Sequence, residues 1–251
     1  MLYSMYAAQN IGKRADQQDS VNASRPEIQK DVGVICAIAD GMGGLSNGKE
    51  ASQLTVDTMV STFHRSAIVD TPQQILLRGC AFAQEAVRGI QQESGMTGTT
   101  LAAVLIRNDR CSFISVGDSR IYLYRGGGLI QLNREQNRGA RIDAQIGLGR
   151  LPEGARTDGN RRALTGYIGM DVLEHADRSS GSFAVGPGDR LLLLTDGVFG
   201  TLSDDEIASV MTERDDLICD RIIGQVLAKD LPNQDNCTAA LIDCSYGEAW
   251  F

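Results

Sequence analysis

The stretch Thr100–Tyr124, TLAAVLIRNDRCSFISVGDSRIYLY, carries three strand-length runs in succession: Thr100–Ile106, Cys111–Val116 and Arg120–Tyr124. Each is rich in β-branched and apolar residues and is bounded by Asn, Asp or Gly, which favour turns. Similar runs recur at Val32–Ala39, Arg190–Thr195 and Cys237–Asp243. Helical patterns come in pairs. Val56, Met59, Val60 and Phe63 share one face of a first helix, and Leu76, Cys80, Ala83, Val87 and Ile90 form such a stripe on a second. The two helices meet near Pro72 and predict a hairpin. Ser203 followed by Glu206 is a capping-box signature for a third helix, and Ile218, Ile222 and Val226 mark a fourth. Clustered strands with paired helices favour packed antiparallel sheets with helices outside over a doubly wound parallel sheet.

The bulk properties narrow the function. At 251 residues the chain is long enough to bury a substantial core as one large domain or two small ones. Its net charge of -8 argues against sequence-independent binding to nucleic acid or to an anionic membrane, which both need a basic face. Met1–Asn10 lacks the basic flank and apolar run of a signal peptide. The apolar stretches Val32–Ala39 and Leu191–Leu194 are too short to span a bilayer. Six cysteines are scattered without a C-x-x-C pair, which predicts a reducing, cytoplasmic location. Asn133–Arg162 is polar, rich in Gly and Arg, and without a strand pattern, although Ala140, Asp143, Ala144 and Gly147 suit a short helix. A segment of this kind in a compact domain predicts a functional loop or lid.

The aspartates carry the chemistry. Val34–Ala39 ends in Asp40-Gly41, Phe113–Gly117 in Asp118, and Leu191–Thr195 in Asp196-Gly197; Asp235-Asn236 stands just before the run that starts at Cys237. One Asp after a strand is usually a turn former. Four in similar positions are better explained as a group. Clustered carboxylates repel one another and lose hydration, so they persist where a cation neutralises them. An all-oxygen ligand set suits hard cations such as Mg or Mn.

The motifs then resemble one family. Asp40-Gly41-Met42-Gly43-Gly44, with Gly48, Glu50, Ala51 and Ser52, is similar to the D-G-M-G-G-x-x-x-G-x-x-A-S signature of bacterial metal-dependent protein phosphatases, the protein phosphatase 2C (PPM) family. Arg14–Asp19 looks like its first motif, R-x-x-N-x-D. Gly98-Thr99-Thr100, Val116–Arg120, Arg162–Gly166, Thr195-Asp196-Gly197 and Asp235-Asn236 follow in the family's order, from Tyr6 to Asp243.

The resemblance implies a single catalytic domain over residues 1–251. Its fold would be α+β: two packed antiparallel β-sheets, a β-sandwich, flanked by α-helix pairs in α-β-β-α layers. It implies a serine/threonine phosphatase in which two divalent ions, Mn or Mg, activate a water that attacks phosphorus directly. By position, Asp40 would bridge both ions and the Gly41 carbonyl would hold one. Asp196 and Asp235 would complete the other, and Asp118 with Asp196 would form a weaker third site. Arg14 would bind the substrate phosphate through its planar fork. Asp19, with Gln18 and Asn236, would orient ligands and water around the ions. Residues 133–162 would be the variable flap. The expected partners are phosphorylated proteins, substrates of a serine/threonine kinase, and the expected state is a monomer. Gln18, Met42 and Leu45 depart from the family pattern, and neither His64 nor His175 lies in a motif, so no general acid is assigned. A regulatory module that kept the fold and a hydrolase of small phosphate esters are the competing readings.

Overall fold

The computed structural model describes residues 1–24, 32–43, 47–94, 97–213 and 216–245. Gly44 and Leu45 of the glycine motif lie outside them. One sheet has five strands in the order β1 (Leu2–Asn10), β12 (Cys237–Ser245), β11 (Arg190–Leu194), β7 (Arg120–Arg125) and β8 (Gly128–Gln131). The other is built on β6 (Arg110–Val116), β5 (Leu101–Arg107), β3 (Val34–Gly43) and β2 (Asp19–Ala23), in that order. Short β9 (Asp177–Arg178) and β10 (Phe183–Ala184) extend it beside β6, and β4 (Thr97–Thr99) pairs with the far end of β3. All of these pairings are antiparallel.

The strands are apolar at successive positions because both of their faces are covered. In β3, Val34, Cys36 and Ile38 point into the core between the sheets. Ile35, Ala37 and Ala39 point the other way, onto α1 (Asn47–Ser66) and α2 (Pro72–Ser94). In β11, Leu191 and Leu193 join the inter-sheet core, while Leu192 and Leu194 pack on α4 (Asp196–Phe199), α5 (Asp204–Val210) and α6 (Ile218–Ala228). Three cores between four layers result. Each fully buried Ile or Leu contributes about 1.5–3 kcal/mol relative to an exposed one.

The paired helices and layered antiparallel sheets agree with the expectation. The predicted helix faces are buried: Val56, Met59, Val60 and Phe63 on α1, and Leu76, Cys80, Ala83 and Val87 on α2. Ser203 and Glu206 form both halves of the capping box at the start of α5. The edge strands β1 and β2 and the short pieces carry weaker patterns and were not evident from periodicity. One boundary needs correcting. Asp40 does not follow its strand but lies within it, because β3 exchanges partner β5 for β4 there and runs on to Gly43.

Residues 133–162 contain α3 (Arg138–Gly147), capped by the Asn137 side chain, and a 3-10 turn at Glu153–Thr157. All six cysteines are buried free thiols. His64 and His175 are exposed. Among the described residues no helix is long and apolar enough to cross a membrane.

Candidate metal centre

Strand alternation carries the site to one open end of the sandwich. Continuing the even-numbered face of β3 past Ile38 places Asp40 between the sheets. Asp19 is its cross-strand partner from β2. From the opposite sheet, β11 delivers Thr195 and then Asp196 at the head of α4, while Asp235 and Asn236 lead into β12. Asp118 comes from the turn between β6 and β7. Asp40, Gly41, Asp118, Asp196 and Asp235 line one cleft of about 570 Å³, together with Arg14, Gln18, Asn236 and Arg162. The sequence-predicted residues thus meet there, with Asp19 buried alongside.

The motif residues between the carboxylates fix them. The backbone of Asp40 is clamped by the Gly98-Thr99-Thr100 segment. Its N–H donates to Thr100 Oγ1 at 2.9 Å, and its carbonyl accepts from Thr99 Oγ1 and from Thr100 N, both at 2.9 Å. Gly41 and Gly48 allow β3 and the first turn of α1 to touch: a Cβ on Gly41 would lie 2.1 Å from the Gly48 carbonyl oxygen. Ser52 donates to the Gln18 carbonyl at 2.5 Å and ties that helix to the loop before β2. Gly197 abuts the opposite wall, since a Cβ there would meet the Asn236 carbonyl oxygen at 1.9 Å.

Asp19 and Asn236 are held differently. Asp19 Oδ2 accepts from the hydroxyls of Thr195 and Thr238, at 2.8 and 2.7 Å, whereas its buried Oδ1 has no partner. The Asn236 amide is spent on backbone. Its Oδ1 accepts from Gln18 N, and its Nδ2 donates to the carbonyls of Ile11 and Asp16. It braces the 11–18 loop that carries Arg14. Arg14 itself is exposed and pairs with Asp235 Oδ2 at 2.7 Å.

The electrostatics are those of crowded negative charge. Burial, and then Asp19, Asp196, Asp118 and Asp235, hold the Asp40 carboxyl well above the usual range. Burial chiefly pushes Asp19 up to about 7, against the two threonine hydrogen bonds. Asp118 also rises to about 7, through burial and then Asp196 and Glu135. Asp196 is raised by burial and by Asp235, and is relieved in part by a hydrogen bond with Asp40 and by Arg162 and Arg14. Among the described residues no three His, Cys, Asp or Glu side chains already close around one point. Asp40 and Asp196 share a hydrogen bond, whereas Asp235 turns to Arg14. The donor set nevertheless fits hard divalent cations. It is all oxygen, it repels itself when ionised, and it leaves a buried carboxylate oxygen unpaired.

Sequence reasoning missed the threonines under Asp19 and gave Arg162 no role. Arg162 stood in a recognised motif, but nothing in its spacing showed that the chain would fold it back to face Asp196.

Comparison with known proteins gives the same picture. The protein phosphatase 2C profile matches residues 8–218. The serine/threonine protein phosphatase PstP of Mycobacterium tuberculosis is 30% identical over an alignment of 210 residues that covers 79% of this chain and 36% of PstP. The chain therefore spans only about a third of that relative's length. A serine/threonine phosphatase structure from S. agalactiae superposes with a TM-score of 0.84 at 26% identity, covering 97% of this chain and 100% of that one. The catalytic domain of PstP in complex with 2 manganese ions shares the fold, with a TM-score of 0.74 at 24% identity over 98% of this chain and 99% of that one. With the profile spanning most of the sequence, the four-layered fold and the aspartate cleft together, the chain belongs to the protein phosphatase 2C family.

Proposed function

We propose that the protein is a metal-dependent serine/threonine phosphatase acting on phosphorylated proteins, as a single catalytic domain with residues 133–162 as its flap. The observation that carries this reading is the convergence of Asp40, Asp118, Asp196 and Asp235 in one cleft with two arginines. Asp40 and the Gly41 carbonyl would hold one divalent ion, and Asp40, Asp196 and Asp235 the other. Asp118 with Asp196 would offer a weaker third position. Mn or Mg bound there would supply a water of lowered pKa and positive charge opposite the phosphoryl oxygens.

The chain's own residues do the rest. Arg14 pairs with Asp235, one of the residues that would hold a cation, and with that carboxylate so engaged its fork would be available to the phosphate. Arg162, exposed beside Asp196, adds a second positive group on the same side. Asp19 Oδ1 can accept a hydrogen bond from a water in the centre, while the two threonine hydroxyls fix the carboxylate's orientation. Asn236 keeps the Arg14 loop in place. No cysteine serves as nucleophile, since all six thiols are buried, and burial drives Cys36, Cys80, Cys219 and Cys244 each up to about 12. Six buried free cysteines without a C-x-x-C pair also support a cytoplasmic setting.

The test is hydrolysis of matched peptides carrying phosphoserine, phosphothreonine or phosphotyrosine, with Mn, with Mg and with chelator. Metal-dependent release of phosphate from the first two is expected. Turnover of small phosphate esters but of no peptide would assign the centre to another substrate class, and metal binding without any turnover would make the protein a regulator.

A further inference from the structure

A second hollow of about 770 Å³ adjoins the aspartate cleft, shares Asp118, Arg162 and Asp196 with it, and is bordered by α3. Arginine is the commonest residue of its walls. Arg120 lies 4.0 Å over the Phe199 ring and pairs with Glu135 at 2.6 Å. Arg161 pairs with Asp143 at 2.5 Å through Nη2, while its Nη1 is buried without a partner. Arg134 and Arg141 are exposed wall residues whose guanidinium groups have no hydrogen-bond or ion partner among the described residues.

Charge counting separates this hollow from an ordinary solvated face. Apart from Asp118 and Asp196, which belong to the proposed metal centre, its acidic residues are Glu135 and Asp143, and both already have arginine partners. Residues 133–162 contain seven arginines and four carboxylates, a positive surplus in a chain of net charge -8. Lysine is absent from the segment, and the guanidinium fork suits planar carboxylate or phosphate oxygens better than a point charge does.

We infer that this hollow receives an anionic side chain of the substrate polypeptide lying next to the phosphorylated residue, and that Arg134 and Arg141 determine the preference. The inference rests on the phosphatase reading above and adds a substrate class to it: phosphoproteins whose target residue is flanked by carboxylates or by a second phosphate.

The experiment compares kcat/KM on phosphoserine peptides of equal length flanked on both sides by Glu, by Ala, by Lys or by a second phosphoserine. Wild type and an Arg134→Ala/Arg141→Ala double variant are each assayed, with an aryl phosphate as the small control substrate. Wild type is expected to favour the anionic flanks over Ala by roughly fivefold for each exposed charge pair formed, and Lys is expected to rank last. Raised salt should shrink the differences, because exposed pairs are screened. The double variant should lose the ranking and keep its aryl phosphate rate. A stronger preference for the second phosphate assigns the hollow to phosphate, and a stronger preference for Glu assigns it to carboxylate. Equal rates on all peptides beside normal aryl phosphate turnover, or an unchanged ranking in the double variant, would overturn the inference alone. No metal-dependent turnover of any substrate by wild type would overturn the phosphatase reading, and this inference with it.

Discussion

At the residue scale, Asp196 heads α4 within hydrogen-bonding reach of Asp40, and its charge is raised in energy by burial and by Asp235. Replacing it with Asn keeps the shape and removes one negative charge. Asp196→Asn is therefore expected to lose Mn-dependent aryl phosphate hydrolysis by at least about a hundredfold, while melting no lower than wild type in the presence of chelator. Retained activity in that variant would refute its place as a ligand. Arg14 makes a different contribution, since it lines the cleft as an arginine paired with Asp235 and is more than half exposed. Arg14→Ala is expected to raise KM for phosphopeptides by about tenfold with little change in kcat. Steady-state kinetics with saturating Mn separates the two parameters, and an unaltered KM would give phosphate binding to another group, with Arg162 the first candidate.

At the scale of elements, glycines decide how closely the walls of the cleft approach. A methyl at position 197 would overlap the Asn236 carbonyl, so Gly197→Ala must push α4 away from the start of β12. The expected result is a loss of several kcal/mol of stability, together with weaker Mn binding, read by denaturant melts and by metal titration. A variant as stable as wild type would show that the two segments can separate freely. This contact also explains what the sequence could and could not disclose. The aspartates were legible because each stands beside an apolar run of unmistakable strand length. The helix pairs were legible because Met59, Phe63, Cys80 and Val87 keep helical spacing. Gly41 and Gly197 could be seen as residues next to a ligand, but the need for close approach appears only once a distant carbonyl is packed against them. The end of β3 was set a few residues too early because Asp40, Gly41 and Gly43 lack strand propensity, and pairing with Thr97–Thr99 supplies what local preference does not. β1 was passed over for a related reason: it is an edge strand whose alternation is blurred by half-exposed positions.

Over the whole molecule, the carboxylate cluster couples folding to pH and, on the proposed reading, would couple it to metal. Asp19 and Asp118 titrate near 7 in the folded protein, and near 4 in an unfolded chain. Between those values the native state holds more protons than the unfolded one. Their contribution to stability is therefore fully present below about pH 4 and is lost as pH rises through 7. Glu206, held down to about 2 by its Lys229 and Ser203 partners, is ionised in both states above about pH 5.5 and does not offset the trend there. Metal-free protein is thus expected to melt at a higher temperature at pH 5.5 than at pH 8. Added Mn should raise the melting temperature most at pH 8, where ligands need not release protons to bind it. Calorimetry at both pH values, with chelator and with Mn, checks both expectations. A metal-free melting temperature that climbs from pH 5.5 to 8 would contradict the electrostatic account.

The cleft draws Asp40 from one sheet and Asp196 and Asp235 from the other, so side-chain packing in the sandwich, together with the hydrogen bonds of Asp19 to Thr195 and Thr238 and of Gln18 to Asn236, sets the distance between these two halves. Any slip of one sheet along its partner changes the bite of the centre, even when the slip begins in the apolar interior far from the rim. On the proposed reading, cation affinity would thereby become a gauge of sheet alignment, and a bound ion would act in return as a cross-brace that holds the two sheets in register.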